Sequence, residues 1–71
     1  MRLRELRIRK LYSIRGLAKT AGVTGKTVRT TETGQSIPSL STIRKLSQVL
    51  EVDPMEVDEF KDAITRAIGN E

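Results

Sequence analysis

The chain has 71 residues, a formal net charge of +4, and neither cysteine nor histidine. A chain this short forms one small domain and cannot hold the parallel sheet and crossover helices of most nucleotide-dependent enzymes. The missing residue types exclude thiol catalysis, imidazole general-base chemistry, disulfides and the usual zinc ligands. We therefore expect a single domain over residues 1–71 with no catalytic residue, no metal site and no cofactor.

The location of the protein is predicted from what its sequence lacks. No run approaches the ~18 consecutive apolar residues of a membrane span. The N-terminal stretch "MRLRELRIRK" is too charged for a signal peptide. The sequence therefore predicts a cytoplasmic protein with no membrane partner.

Charge is unevenly distributed along the chain. Residues 1–45 contain eleven Lys and Arg against Glu5 and Glu32, a balance of +9, whereas residues 46–71 have a balance of −5. This asymmetry predicts one surface for a polyanion and another surface for a different purpose. The alternative is that the charges only keep the surface hydrated.

The first two predicted helices follow from apolar spacing and a cap. Residues 2–11 contain a helical stripe that consists of Leu3, Leu6 and Leu11. Ser13 suits the N-cap of a second helix, and Gly22 allows the left-handed backbone that ends one. The apolar face of the second helix consists of Leu17, Ala18 and Ala21.

Two further helices are predicted in the middle of the chain. Thr24 suits the N-cap of a third helix over about residues 25–32, which turns Val28 inward and ends before Gly34. Residues 33–38 form a loop, after which a fourth helix begins at "PSL". The apolar face of the fourth helix consists of Leu40, Ile43, Leu46, Val49 and Leu50.

A fifth helix is predicted over residues 54–68. Asp53 is placed as its cap, Pro54 at the first helical position and Glu56 three residues after the cap. The apolar stripe of this helix consists of Val57, Phe60, Ile64 and Ile68. The stripe either completes the core or forms the contact surface of a dimer. Because no run alternates with period two for the length of a strand, the fold class is predicted to be all-α, a compact five-helix bundle.

The tripeptide Gly25-Lys26-Thr27 raises the question of a phosphate-binding loop. Such a loop has a glycine five positions before the glycine of Gly-Lys-Ser/Thr, and Thr20 occupies that position. The nearest upstream glycine, Gly22, is too close and follows a predicted helix where the motif needs a strand. The sequence therefore argues against a nucleotide-binding loop.

Ala18, Gly22 and Val28 have the spacing of a helix-turn-helix. Ala18 is small where a second helix crosses closely, Gly22 permits the tight turn, and Val28 anchors the second helix in the core. An ordinary pair of antiparallel helices with a glycine stop is the alternative.

The chain from about Leu3 to Val57 resembles the lambda-repressor-like (Xre/Cro-type) helix-turn-helix domain. Its most specific parts are "E-x-G" after the third predicted helix and "P-S-L" at the start of the fourth. The residues that carry the resemblance are Leu6, Arg7, Ser13, Leu17, Ala18, Gly22, Val23, Thr24, Thr27, Val28, Glu32, Gly34, Pro38, Ser39, Leu40, Leu46 and Leu50. The resemblance implies a five-helix bundle with its core over about residues 3–57, and double-stranded DNA as partner.

The resemblance also implies which residues contact DNA, because the second helix of the motif enters the major groove by its N-terminal end. The residues implied to face bases or the groove are Gly25, Lys26, Arg29 and Thr30. The residues implied to contact phosphates are Ser13, Arg15, Thr24, Thr27, Gln35 and Ser36. Arg7 and Glu32 resemble the family's ion pair between the first and third helices.

Five positions depart from the family pattern. Ile14 replaces a glutamine that helps to clamp the DNA backbone, and Gly25 replaces a side chain that often reads a base. Thr31 replaces a buried Ile or Leu, so its hydroxyl needs a partner. Leu11 replaces a glycine that ends a helix, and Gly16 lies early in the second helix, where glycine is unfavourable.

Two functions remain open on this evidence. The first is a sequence-specific DNA-binding transcriptional regulator, expected to be a repressor and a homodimer. The second is a protein-interaction module or antitoxin-type partner on the same fold, with weak or no specific DNA binding, which Ile14, Gly25 and the acidic C-terminal part favour. An enzyme is not expected, because carboxylates are the only acid–base groups and the domain is too small to surround a pocket.

Overall fold

A computed structural model describes residues 1–69 as five α-helices joined by short loops. The helices are α1 Leu3–Arg9, α2 Ile14–Ala21, α3 Gly25–Thr33, α4 Leu40–Leu50 and α5 Asp58–Gly69, with a 3₁₀ turn, Pro54–Glu56, between the last two. No strand occurs in this part of the chain, and the predicted all-α, five-helix fold is confirmed. None of the helices in residues 1–69 is long and apolar enough to cross a membrane.

Local hydrogen bonds define the ends of the central helices. The hydroxyls of Ser13, Thr24 and Ser39 each accept a bond from the backbone N–H three residues later, at 2.9, 3.1 and 3.1 Å. α2 and α3 end at Gly22 and Gly34, whose φ angles of 75° and 78° are left-handed. A side chain in this backbone conformation is strained, which explains glycine at both stops.

α1 ends earlier than predicted, and the prediction that Leu11 lies on its apolar stripe is wrong. The helix stops at Arg9, and Leu11 is 92% exposed with a φ of 64°. The backbone N–H of Tyr12 then donates to the carbonyl of Arg7 at 3.1 Å, which closes the turn toward α2. Leu11 therefore adopts a glycine-like conformation, and its side chain points into solvent.

The fifth helix begins four residues later than predicted. Asp53 does accept a hydrogen bond, but from the N–H of Met55 at 2.9 Å, and this closes only the 3₁₀ turn. Val57 follows with extended backbone and a fully buried side chain. Burying Val57 interrupts the helical path, so the helix starts again at Asp58.

One apolar core joins all five helices. Two residues of the predicted stripes lie outside it: Leu40 is 58% exposed and Ile68 is 71% exposed. The prediction that Leu40 shares the buried face of the fourth helix is therefore wrong, and Ile68 does not complete the core. The buried apolar residues are Leu3, Leu6, Leu17, Ala18, Ala21, Val28, Ile43, Leu46, Leu50, Val57, Phe60 and Ala63.

The start of α1 depends on the start of α5. Arg2, at the N-cap of α1, provides no side-chain cap. Instead, the N–H of Leu3 donates to Glu59 Oε1 at 2.8 Å, and Arg2 lies 3.5 Å from the other oxygen of the same carboxylate. A residue distant in sequence thus satisfies a backbone donor that a helix start leaves unpaired.

An enclosed ion pair joins α1 to α3. Arg7 Nε donates to Glu32 Oε2 at 2.6 Å and Arg7 Nη2 donates to Glu32 Oε1 at 3.2 Å. The remaining nitrogen, Nη1, donates to the carbonyl of Tyr12 at 2.9 Å. The two side chains are only 9% and 6% exposed, so the pair is a structural connection. Each of the three nitrogens of the Arg7 guanidinium thus donates to a partner within the domain.

Replacing Leu11 by Gly is expected to raise the free energy of unfolding by about 1 kcal/mol. A left-handed backbone costs an L-residue roughly 1–2 kcal/mol, and the greater freedom of glycine in the unfolded chain offsets part of that gain. Urea denaturation measures the change. Leu11→Ala keeps the strain and serves as the control, with a stability close to that of the parent. An L11G variant no more stable than the L11A variant would contradict the strain.

Replacing Arg7 by Met is expected to lower the free energy of unfolding by about 3–5 kcal/mol, because it leaves the Glu32 carboxylate enclosed without a partner. The double variant Arg7→Met/Glu32→Leu removes both charges and should recover most of the loss. Thermal and urea unfolding of the two variants test this. Equal instability of the single and double variants would show that packing, and not the uncompensated charge, is responsible.

Candidate nucleic-acid interface

A tight turn sets the positions of α2 and α3. Gly22 has the left-handed conformation, and the N–H of Val23 donates to the carbonyl of Ala18 at 2.9 Å. Ala18 is buried on α2 and Val28 is buried on α3. These contacts place the N-terminal half of α3 alongside α2.

An open groove of about 600 Å³ lies between the two helices. The residues that line it fall into two chemical groups. The apolar group is buried or half-buried and consists of Ile14, Ala18, Val23 and Gly25. The charged group is exposed and consists of Arg15, Lys19, Lys26 and Arg29. We call this feature the basic groove.

The four cations of the basic groove carry uncompensated charge. Within residues 1–69 none of them forms an ion pair with a carboxylate, whereas Arg2, Arg9 and Arg66 do so elsewhere on the surface. Like charges gathered on one concave surface without counter-charges produce a positive potential that attracts a polyanion. The groove therefore has the electrostatic character of a nucleic-acid interface.

The predicted base-facing residues do not all lie in the groove. Gly25, Lys26 and Arg29 line it together. Thr30 is half-buried and lies outside the lining. Its hydroxyl donates to the carbonyl of Thr27 at 3.3 Å and accepts a bond from Ser36 at 2.8 Å. Both hydrogen-bonding functions of the Thr30 hydroxyl are thus engaged within the domain.

The predicted phosphate-binding residues occupy three places. Ser13 and Arg15 lie at the start of α2, where the Ser13 hydroxyl is the helix cap. Thr24 and Thr27 lie at the start of α3, and their hydroxyl oxygens are 2.8 Å apart. Both of these places adjoin the basic groove, because Arg15 and the neighbours of Thr24 line it.

Gln35 and Ser36 lie at the other end of α3, outside the basic groove. Their backbone N–H groups both donate to the carbonyl of Thr30, at 3.0 and 3.3 Å. The Ser36 hydroxyl is bonded to Thr30, whereas the Gln35 side chain is exposed. The sequence-predicted site is therefore spread along the whole of α3.

Lys19 belongs to the basic groove, although the sequence prediction omits it. It follows Arg15 by four residues, a spacing that places two side chains on the same face of a helix one turn apart. The signal was therefore present in the sequence. The spacing of Arg15 and Lys19 indicates a shared binding surface only once this face of α2 is known to lie beside α3.

The unusual Thr31 carries no unpaired hydroxyl. Its side chain is 1% exposed, and the hydroxyl donates to the carbonyl of Thr27 at 2.8 Å within the same helix. A buried donor without a partner destabilises a protein by about 1–3 kcal/mol. This penalty is avoided, so a polar residue is compatible with the core at this position.

A scan against protein-family models matches residues 1–60 to a family described as a helix-turn-helix domain. The chain belongs to the helix-turn-helix domain family. This confirms the helix-turn-helix predicted from the spacing of Ala18, Gly22 and Val28, and the match is consistent with the lambda-repressor/Xre type that the chain from about Leu3 to Val57 resembles. Comparisons with curated proteins and with solved structures find no match.

Helix-turn-helix domains typically bind DNA and are typically not enzymes, so the family indicates a DNA-binding regulator in general terms. α2 and α3 are the two helices of the motif, and the basic groove lies between them. In the part of the helix-turn-helix domain that the structure describes, no cluster of acidic residues could hold a metal ion.

Proposed function

We propose that the protein is a sequence-specific transcriptional repressor that occupies an operator by inserting α3 into the major groove. The observation that supports this most strongly is the basic groove. Its four cations lie on the two helices of the motif and lack carboxylate partners within residues 1–69. DNA is the polyanion that helix-turn-helix domains bind through such a surface.

Base recognition is assigned to the N-terminal half of α3. Lys26 donates to guanine O6 or N7, a common specific contact in the major groove. Arg29, one turn further along the same face, neutralises a phosphate. Gly25 brings the backbone of α3 close to the bases. The hydroxyl of Thr30 is engaged within the domain, so a contact of Thr30 with a base falls to its methyl group.

Phosphate contacts are assigned to both ends of the interface. Arg15 and Lys19 extend from α2 toward one strand, with the free backbone N–H groups at the starts of α2 and α3 adding partial positive charge. Ser13, Thr24 and Thr27 suit phosphate oxygens near these helix starts, and Gln35 and Ser36 do so beyond the end of α3. Release of counterions from these phosphates supplies most of the affinity.

We also propose a homodimer, because two copies would read a two-fold symmetric operator. An apolar surface between the start of α4 and the end of α5 supports a contact with a second copy. Ile37, Leu40 and Ala67 line one groove there, and the first two are more than half exposed. None of these residues lines the basic groove, so a dimer formed through them leaves the basic groove free.

The proposal is tested by selecting from random-sequence duplexes at near-physiological salt and sequencing the enriched pools. The expected result is a two-fold symmetric site with half-sites about one helical turn, ~34–36 Å, apart. Absence of an enriched site, together with residual binding that disappears on adding salt, would overturn the repressor assignment.

Lys26→Ala and Arg29→Ala should weaken binding in different ways. Lys26→Ala is expected to reduce affinity for the selected site by roughly 10- to 100-fold and to relax the preference at one base pair. Arg29→Ala should weaken all duplexes similarly and reduce the salt slope by about 1. Fluorescence anisotropy at several salt concentrations measures both effects.

Lys61→Ala is the matched control for these two variants. Lys61 is an exposed cation of α5 that lies outside the basic groove and forms no ion pair within residues 1–69. Its removal changes the net charge by the same amount as either test variant. If Lys61→Ala weakened binding as much as Lys26→Ala, net charge alone would explain the affinity, and the assigned contact would be wrong.

A second candidate function is a protein-interaction module whose partner binds the acidic C-terminal part. Exposed carboxylates surround the 3₁₀ turn and the start of α5, and these are Glu51, Asp53, Glu56, Asp58 and Asp62. Met55 is 47% exposed among them. A basic partner with an apolar contact fits this surface. It becomes the leading function if the duplex selection yields no site.

A further inference from the structure

The side chains of the apolar part of the basic groove carry no group that could bind a phosphate. Gly25 is the first residue of α3 and Ile14 is the first residue of α2. A Cβ added at Gly25 would lie 3.8 Å from Ile14 Cγ2, and apart from the neighbouring residues and backbone of α3 no other atom lies within 4 Å of it. Because glycine has no side chain, the Gly25 backbone and the Ile14 methyl lie side by side along the groove, and a methyl group that enters from the open side can rest against both.

The residues around this space decide what can enter it. Ala18 and Val23 continue the apolar lining, and Lys26 follows Gly25 directly on α3. No side chain of the apolar lining offers a hydrogen-bond donor or acceptor. We call the space between Ile14 and Gly25 the methyl notch.

We propose that the methyl notch reads the C5-methyl group of a pyrimidine, normally thymine, in the major groove. The thymine methyl is the apolar group that base pairs present in that groove. Arg15, Lys19, Lys26 and Arg29 line the same groove and could neutralise the phosphates that flank such a base. Ile14 and Gly25 then determine specificity at one position, next to the base that Lys26 contacts. This inference rests on the proposed DNA-binding function.

The test begins with the duplex that the selection enriches. Each thymine of a half-site is replaced in turn by deoxyuridine, which removes the C5-methyl and keeps every hydrogen-bonding group. One replacement per half-site is expected to weaken binding about fourfold, the effect of exposing one buried methyl group. Replacing that thymine by cytosine and then by 5-methylcytosine should lose and then partly restore affinity.

Two variants connect the effect to the notch. Ile14→Ala removes the methyl contact, so the thymine and deoxyuridine duplexes should bind with equal affinity. Gly25→Ala places a protein methyl in the notch at an ordinary contact distance from Ile14, so the fold is retained. This variant should lose affinity for the thymine duplex more than for the deoxyuridine duplex. Ile8→Ala, an exposed apolar residue of α1 outside the groove, is the control and should keep the fourfold preference.

The outcomes separate this inference from the function on which it rests. If no duplex is enriched, both the repressor assignment and the methyl notch are overturned. If a site is enriched but no thymine is sensitive to deoxyuridine, only the notch is overturned. The same holds if the sensitivity persists in both Ile14→Ala and Gly25→Ala, because another part of the protein then contacts the methyl group.

Discussion

The position of α3 depends on the ion pair between Arg7 and Glu32. Most side chains of α3 are exposed or half-buried, and apart from the Glu32 carboxylate the helix buries only Val28 and Thr31. Two small side chains fix the depth of a helix but leave its rotation poorly determined. The bidentate pair adds direction, because the planar guanidinium and carboxylate must be aligned, and the Tyr12 carbonyl holds the guanidinium from the other side. The orientation of the α3 side of the basic groove therefore depends on one contact between α1 and α3.

Threonine hydroxyls in α3 mostly satisfy groups of the domain itself. The carbonyl of Thr27 accepts bonds from Thr30 and Thr31, and the hydroxyl of Thr27 contacts that of Thr24. These internal bonds stiffen the helix and reduce the hydrogen-bonding capacity that it presents outward. What remains on the groove side is the charge of Lys26 and Arg29 beside an apolar space. Under the proposed function, such a surface would recognise DNA through cations and methyl contacts more than through amide side chains.

The basic and acidic halves of the sequence form different surfaces of the folded domain. The basic half supplies α1 to α3 and all four cations of the basic groove, whereas the acidic half supplies the 3₁₀ turn and α5. The acidic half also has a structural task, since Glu59 holds the start of α1. Its remaining exposed carboxylates would repel DNA, which favours docking through the basic surface alone.

The sequence by itself determined the features that rest on contacts within a few residues. The caps at Ser13 and Thr24 and the stops at Gly22 and Gly34 are of this kind, so the helix-turn-helix was predictable with nearly correct bounds. Tertiary structure decided what depends on residues distant in the chain. The burial of Val57 moved the start of α5, the carboxylate of Glu59 paired with the first N–H of α1, and the approach of α2 to α3 placed Ile14 beside Gly25. Local hydrogen bonds have a sequence signature because their spacing is fixed, whereas contacts between helices depend on how the whole core is filled.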